Sequence, residues 1–211
     1  MIQTTSRQAM IEAAEQIIAE QGLHALTLTG VQFAANQSNK SAAKYHFGSH
    51  DGLIEALVEA RMSPVDTRRQ EMLNEITRLG APPTIRQAVE ALVRPLAAET
   101  LGRPGSRYGR FLVQALFNPA LADLIRKHMR AESYNHVRDL LIELCPAPNP
   151  IAIWRTDSIV MHNMTMLAAQ EAADRTPAES TAIVSDLVDT CVAMLEAPIS
   201  TTTTESLGAT S

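Results

Sequence analysis

From Leu26 to Leu57 the chain reads LTLTGVQFAANQSNKSAAKYHFGSHDGLIEAL. Two short segments with helical spacing flank Asn36-Gln37-Ser38-Asn39, a run of turn formers, and Gly48 closes the second of them. Two short helices joined by a turn of about four residues form the geometry that sets one helix into the DNA major groove. This feature confines residues 1–48 to a small tri-helical unit. The rest of the chain must do something else.

Punctuation along the chain supports an all-α fold. Residues 6–21 place Met10, Ile11, Ala14, Ile17 and Ile18 on one side of a helix, with Arg7, Glu12, Glu15, Gln16 and Glu20 on the other. Thr4, Thr5 or Ser6 caps its start and Gly22 stops it. Thr27 or Thr29 caps the next helix, and Thr29 has Gln32 at capping-box spacing. Asn39 or Ser38 caps a third, Lys40 to His46, and Ser49 a fourth, with Asp51 in its favourable first turn. Ser63-Pro64 predicts an end or a bend in that helix.

Beyond Gly80-Ala81-Pro82-Pro83, helical patterns start at Thr84 (with a kink at Pro95), at 107–117, and at 119–144 with Pro119 first. Two long ones follow over 151–173 and 178–196. The expected organisation is a head over 1–48, a helical body over 49–197, and a disordered tail over 198–211 whose run Thr201 to Thr204 has little to pack.

Hydrophobic residues make up 45% of the 211, enough for a buried core. No apolar run approaches the roughly 18 residues a membrane span needs. The N-terminus lacks a signal pattern, so the chain reads as soluble and cytoplasmic. Cys145 and Cys191, outside any CxxC, read as buried free thiols. Net charge is −5, and residues 1–55 hold only Arg7, Lys40 and Lys44 against Glu12, Glu15, Glu20, Asp51 and Glu55. A DNA-binding head is usually basic, so this balance predicts low non-specific affinity.

A groove helix needs polar residues toward the bases and apolar ones toward its neighbours. In Lys40-Ser41-Ala42-Ala43-Lys44-Tyr45-His46-Phe47, Lys40 and Lys44 share a face with Ser41 and Tyr45 beside them. Lysine donates to guanine or phosphate, the hydroxyls reach phosphate, and alanine meets a thymine methyl. Phe47 belongs in the core. An ordinary solvated helical face has the same spacing.

The segment from Ala9 to about Arg61 resembles the DNA-binding head of the tetracycline-repressor (TetR) family. The resemblance rests on Ala19-Glu20-Gln21-Gly22, Thr27-Leu28, the run Asn39 to Phe47 ending Tyr-His-Phe, and Gly48-Ser49-His50-Asp51-Gly52-Leu53. It covers about a quarter of the chain. Asn36 stands where the family has a turn glycine, Gln32 where it has alanine, followed by a bulky Phe33, and His50 where it has a phosphate-facing lysine. The candidate DNA contacts are Thr27, Thr29, Asn39, Lys40, Ser41, Lys44, Tyr45, His46 and His50. The resemblance implies a ligand-responsive regulator, most simply a repressor. It would bind a pseudo-palindromic operator as a homodimer through the last two long helices and leave it when a small apolar or amphipathic effector binds.

Those two helices carry Ile151, Ile153, Ile159, Val160, Met164 and Leu167, then Ile183, Val184, Leu187, Val188, Val192 and Leu195. Tyr108, Phe111, Phe117, Met129, Tyr134, Trp154, Met161 and Met164 are candidate lining for an effector pocket, with His128, His162 and Asn163 as its polar groups. No cofactor is implied. An enzyme is not indicated, since GxSxG, GxGxxG, GxxxxGK[ST] and HExxH are all missing. The open alternative is a TetR-like dimer with a degenerate head that binds a small molecule or a partner.

Overall fold

A computed structural model describes residues 5–39, 41–118, 132–171 and 173–208, which contain helices and no strand. The expectations for Thr4, Lys40, Pro119, His128 and Met129 fall outside these residues.

Local chemistry sets most helix ends. Helix α1 (Ser6–Gln21) begins where the Thr5 hydroxyl accepts the Gln8 N–H, and ends at Gly22, whose φ of 87° returns its N–H to the Ile18 carbonyl. A 3-10 turn, Leu23–Ala25, leads to α2 (Leu28–Ala34). Its cap is Thr27, which accepts the Gly30 N–H at 2.9 Å. Thr29 therefore lies inside α2, and the capping box with Gln32 does not form. Asn36 takes the left-handed conformation, at φ 51°. Helix α3 (Ala42–Phe47) starts later than Lys40, because Asn39 makes its own turn first: its Oδ1 accepts the Ser41 N–H at 3.0 Å.

Helix α4 (His50–Arg78) starts under Ser49, whose Oγ accepts the Gly52 N–H at 3.0 Å. A Cβ on Gly52 would stand 2.2 Å from the Phe47 carbonyl oxygen, so glycine lets the end of α3 abut α4. Pro64 lies within α4 and does not end it. The proline removes one donor, but Arg61, Met62, Val65 and Arg69 are buried on both sides of it, so tertiary packing holds the helix through.

The body adds α5 (Ile85–Thr100), α6 (Tyr108–Leu116), α7 (Glu132–Leu144), α8 (Asn149–Gln170) and α9 (Pro177–Glu196). Capping boxes start two of them, Thr84 with Gln87 at α5 and Thr176 with Glu179 at α9. Helix α5 is central and packs on α4, α7, α8 and α9. Helices α6 and α8 cross closely at Gly109, where a Cβ would come within 3.0 Å of the Ala168 Cα.

The tail does not follow the expectation of disorder. Residues Thr201–Gly208 form α10, begun by Ser200, whose Oγ accepts the Thr203 N–H at 3.3 Å and whose carbonyl accepts the Thr204 N–H. None of its residues is buried, so local capping and not packing shapes it.

One core runs from the head (Met10, Ile18, Leu53, Leu57) into the body (Phe111, Leu167, Leu195). Helix α4 belongs to both. Cys145 and Cys191 are free and buried. Among the described residues no helix is long and apolar enough to cross a membrane.

Candidate nucleic-acid interface and body cavity

Helix α3 is held from one side. Ala42, Ala43 and Phe47 are buried. Gln32, itself buried on α2, accepts the Ala43 N–H at 3.0 Å and so satisfies one of the unpaired donors at the start of α3. The opposite face is free: Ser41, Lys44 and Tyr45 are exposed, Tyr45 to 84%. These positions fall at i, i+3 and i+4, one stripe of a helix. The buried alanines cannot meet a thymine methyl, which corrects the expectation for them. His46 is half-buried, its ring 5.1 Å from that of Tyr45.

Thr27, Thr29 and Asn39 are exposed around α3. His50 is half-buried at the start of α4, its Nδ1 3.4 Å from an Asp51 carboxylate oxygen. Phe33 is 85% exposed, so it does not repack the head. Ser6 donates to the Gln37 side chain and Gln37 to the Ala35 carbonyl, which ties the turn to α1.

The acidic residues of the head face the body. Arg61 Nε lies 2.6 Å from Glu15 Oε2, both side chains being nearly inaccessible. Glu15 Oε1 also accepts the Arg107 N–H at 2.7 Å, immediately before α6. Glu12 meets Arg103 at 3.1 Å and Glu20 meets Arg107 at 3.8 Å. Each of these acids is thus balanced by an arginine from beyond residue 55. Glu15, expected on the solvent face, is in the core because its partner stands on α4. A cleft of about 510 Å3 between α1 and residues 103–107 is walled by Glu12, Glu15, Arg61, Arg103 and Arg107.

A second carboxylate caps α6. Glu171, just past α8, accepts from Ser106 Oγ at 2.6 Å and from the Gly109 and Arg110 N–H groups at 3.0 and 3.1 Å. Tyr108 is fully buried beside it, stacked on Phe111 at 5.9 Å. Burial pushes its phenol well above the ordinary value; the charge of Glu15 adds to the rise and that of Arg61 opposes it.

The body contains a cavity of about 40 Å3. Helix α4 contributes Met62, Val65 and Arg69, α5 Leu92 and Leu96, α6 Leu112, α7 Tyr134, and α8 Val160, Asn163 and Met164. Of the residues singled out in the sequence, Tyr134, Met164 and Asn163 line it. Tyr108 and Phe111 are core, and His162 and Met161 are half-buried elsewhere on α8. Phe117, just past the end of α6, and Trp154, on the outer face of α8, are exposed to 70% and 55%.

Arg69 was missed as a charged residue. The signal lay in its spacing from Met62, Val65 and Leu73, which puts it on the apolar stripe of α4. It is 3% exposed and bonds Asp66 through Nη1 at 2.8 Å, while Ser133 donates to Asp66 at 3.0 Å. Among the described residues its Nε has no partner, and neither has Oδ1 of buried Asn163. Burial lowers the Arg69 pKa, with Asp66 acting against the shift. Among the described residues no cluster of His, Cys, Asp and Glu gathers to hold a metal ion.

No family model and no curated protein matches the sequence. Solved structures do match the fold. AmtR of Mycobacterium smegmatis superposes with a TM-score of 0.60 at 16% identity, covering 99% of this chain and 97% of that one. A TetR transcriptional regulator from Legionella pneumophila gives 0.56 at 13% identity over 90% and 97%. A transcriptional regulator from Rhodococcus gives 0.54 at 19% identity over 90% and 96%. At such identities the likeness is one of architecture, and the chain has the all-helical fold of the TetR-family transcriptional regulators, a helix-turn-helix head joined to a helical body.

Proposed function

We propose that this chain is a DNA-binding transcriptional regulator, most simply a repressor, that works as a homodimer and is released from DNA by a small effector. The observation that carries the reading is α3: anchored by Ala42, Ala43, Phe47 and the Gln32 clamp, with Ser41, Lys44 and Tyr45 turned outward. A short helix held in this way is suited to the major groove, Lys44 toward guanine or phosphate and the hydroxyls toward phosphate. Thr27, Thr29, Asn39, Lys40, His46 and His50 complete the suggested contacts.

A two-fold dimer would set two such helices about one helical turn apart, roughly 34–36 Å, and so read a pseudo-palindrome. Helices α8 and α9 are the suggested interface. Much of their apolar content is already spent within the protomer, since Ile151, Ile159, Val160, Met164, Leu167, Leu187, Val188 and Leu195 are buried. The face left for a partner is the one bearing Trp154 and Met161. An effector in the cavity would act on α4, which carries both Arg69 at the cavity and Arg61 against Glu15 of α1. An effector that prefers one α4 position then shifts the spacing of the heads.

The alternative of a head without DNA affinity rests on its acids, on Gln32-Phe33 and on His50; the pairing of Glu12, Glu15 and Glu20 with arginines weakens the first of these, while Asp51 stays exposed. Selection from random duplexes, followed by fluorescence anisotropy, tests the proposal. A recovered inverted repeat bound with steep salt dependence is expected. Equal, weak binding to every sequence would refute it.

A further inference from the structure

Among the described residues around the cavity, two buried polar atoms have no hydrogen-bond partner: the Arg69 Nε–H, a donor, and the Asn163 Oδ1, an acceptor. Unpaired buried polar atoms are costly, and native proteins satisfy most of them. Here the pair differs in kind, so a molecule that completes both must bring an acceptor and a donor.

Charge narrows the class. Among the described lining residues Arg69 is the one cation, and it already bonds Asp66 through Nη1 at 2.8 Å, with the Tyr134 ring 5.8 Å from its guanidinium carbon. Ser133 stands on the same carboxylate. A ligand carboxylate entering this site would lose its hydration and find the Arg69 charge already taken by Asp66. A neutral group loses less.

The rest of the lining is Met62, Val65, Leu112, Met164 and their aliphatic neighbours, which suits an apolar remainder. At about 40 Å3 the cavity is far below the roughly 300–1,000 Å3 of ordinary ligand pockets, so the ligand is small and seats by moving the flexible methionines. A ligand competes with solvent for these two atoms, so a successful one must match the hydrogen bonds that water would make there.

We infer that the cavity takes a small neutral amide, its carbonyl accepting from Arg69 and its N–H donating to Asn163, with a short apolar tail among the methionines. This rests on the reading of the cavity as the effector site.

The test uses the full-length chain with two matched pairs of probes, propionamide against propionate and benzamide against benzoate, by calorimetry and thermal shift at neutral pH. The amides are expected to bind at least tenfold tighter than their carboxylates. Asn163→Leu should abolish that preference. Arg69→Lys, which keeps the charge facing Asp66 but removes the Nε–H, should reduce it. Should either variant fail to fold, the wild-type amide-to-acid ratio still decides. Carboxylates that bind as tightly as amides, or amides that do not bind at all, overturn the inference. Release of bound DNA is read separately. Amides that bind in the cavity without weakening DNA binding would sink the effector reading and leave the ligand class standing.

Discussion

Arg61 Nε donates to Glu15 Oε2 across 2.6 Å in the core, joining the helix that starts the head to the helix that leaves it. The same carboxylate takes the Arg107 N–H ahead of α6, so three segments meet on one buried charge. Removing one partner strands the other in a medium that solvates it poorly. Arg61→Met is expected to lower unfolding free energy by about 3 kcal/mol, and the double variant with Glu15→Gln by less than the two single effects combined. Urea denaturation of the four proteins measures this. Strict additivity would show that the pair is not coupled.

The clamp between α2 and α3 includes a hydrogen bond from the Ala43 N–H to Gln32. Gln32→Met keeps the volume and removes the acceptor, leaving a buried donor unpaired at a cost of about 1–2 kcal/mol. Because α3 is one short segment, its orientation should loosen more than the fold. DNA affinity is expected to fall further than thermal stability suggests, and anisotropy beside a melting curve separates the two.

His50 stands where the resemblance places a phosphate-facing lysine, and it is half-buried at the start of α4. His50→Lys adds a fixed positive charge there. Non-specific affinity should rise, and the slope of log affinity on log salt should steepen by about 0.9 per protomer. Lys44→Ala should change the slope in the opposite sense. A slope unmoved by both would place the DNA elsewhere.

What the sequence made legible was local. Thr5, Thr84 and Gly22 act within one helical turn, and Asn36 takes its backbone angle from its own side-chain chemistry. What it hid depends on partners far along the chain. Glu15 read as a surface residue because Arg61 is 46 positions away. Pro64 read as an end or a bend because the buried neighbours that carry α4 through it are set by the tertiary fold. Trp154 and Met161 read as pocket lining because composition does not say which face of a long helix meets its own core. Arg69 escaped notice because charge is a poor guide to burial when Asp66 stands one turn before it.

Cys191 is fully buried, and desolvation pushes its thiol up to about 11. The thiolate is the reactive form. At pH 8 only about one part in a thousand is ionised, so native protein should leave Cys191 unmodified by a disulfide reagent over the time in which the unfolded chain reacts fully. Raising the pH toward 11 should increase the rate. Fast labelling at pH 8 would mean that α9 opens readily.

Trp154 is the largest exposed aromatic of the long helices, 55% accessible although its neighbours Ala152, Thr156, Ile159 and Val160 are buried. Ser158, Met161 and Thr165 continue its face at four-, seven- and eleven-residue spacings, so a partner helix would find an aromatic anchor flanked by small side chains. Aromatic anchors of this kind dominate interface energies, often by about 2–4 kcal/mol. Trp154→Asp changes an exposed position and should leave the folded protomer intact by circular dichroism. It should also raise the dimer dissociation constant by a hundredfold or more in sedimentation experiments. Operator affinity should collapse with it, since a single head gains no avidity from the second half-site. A variant that still sediments as a dimer at micromolar concentration would move the interface off this face.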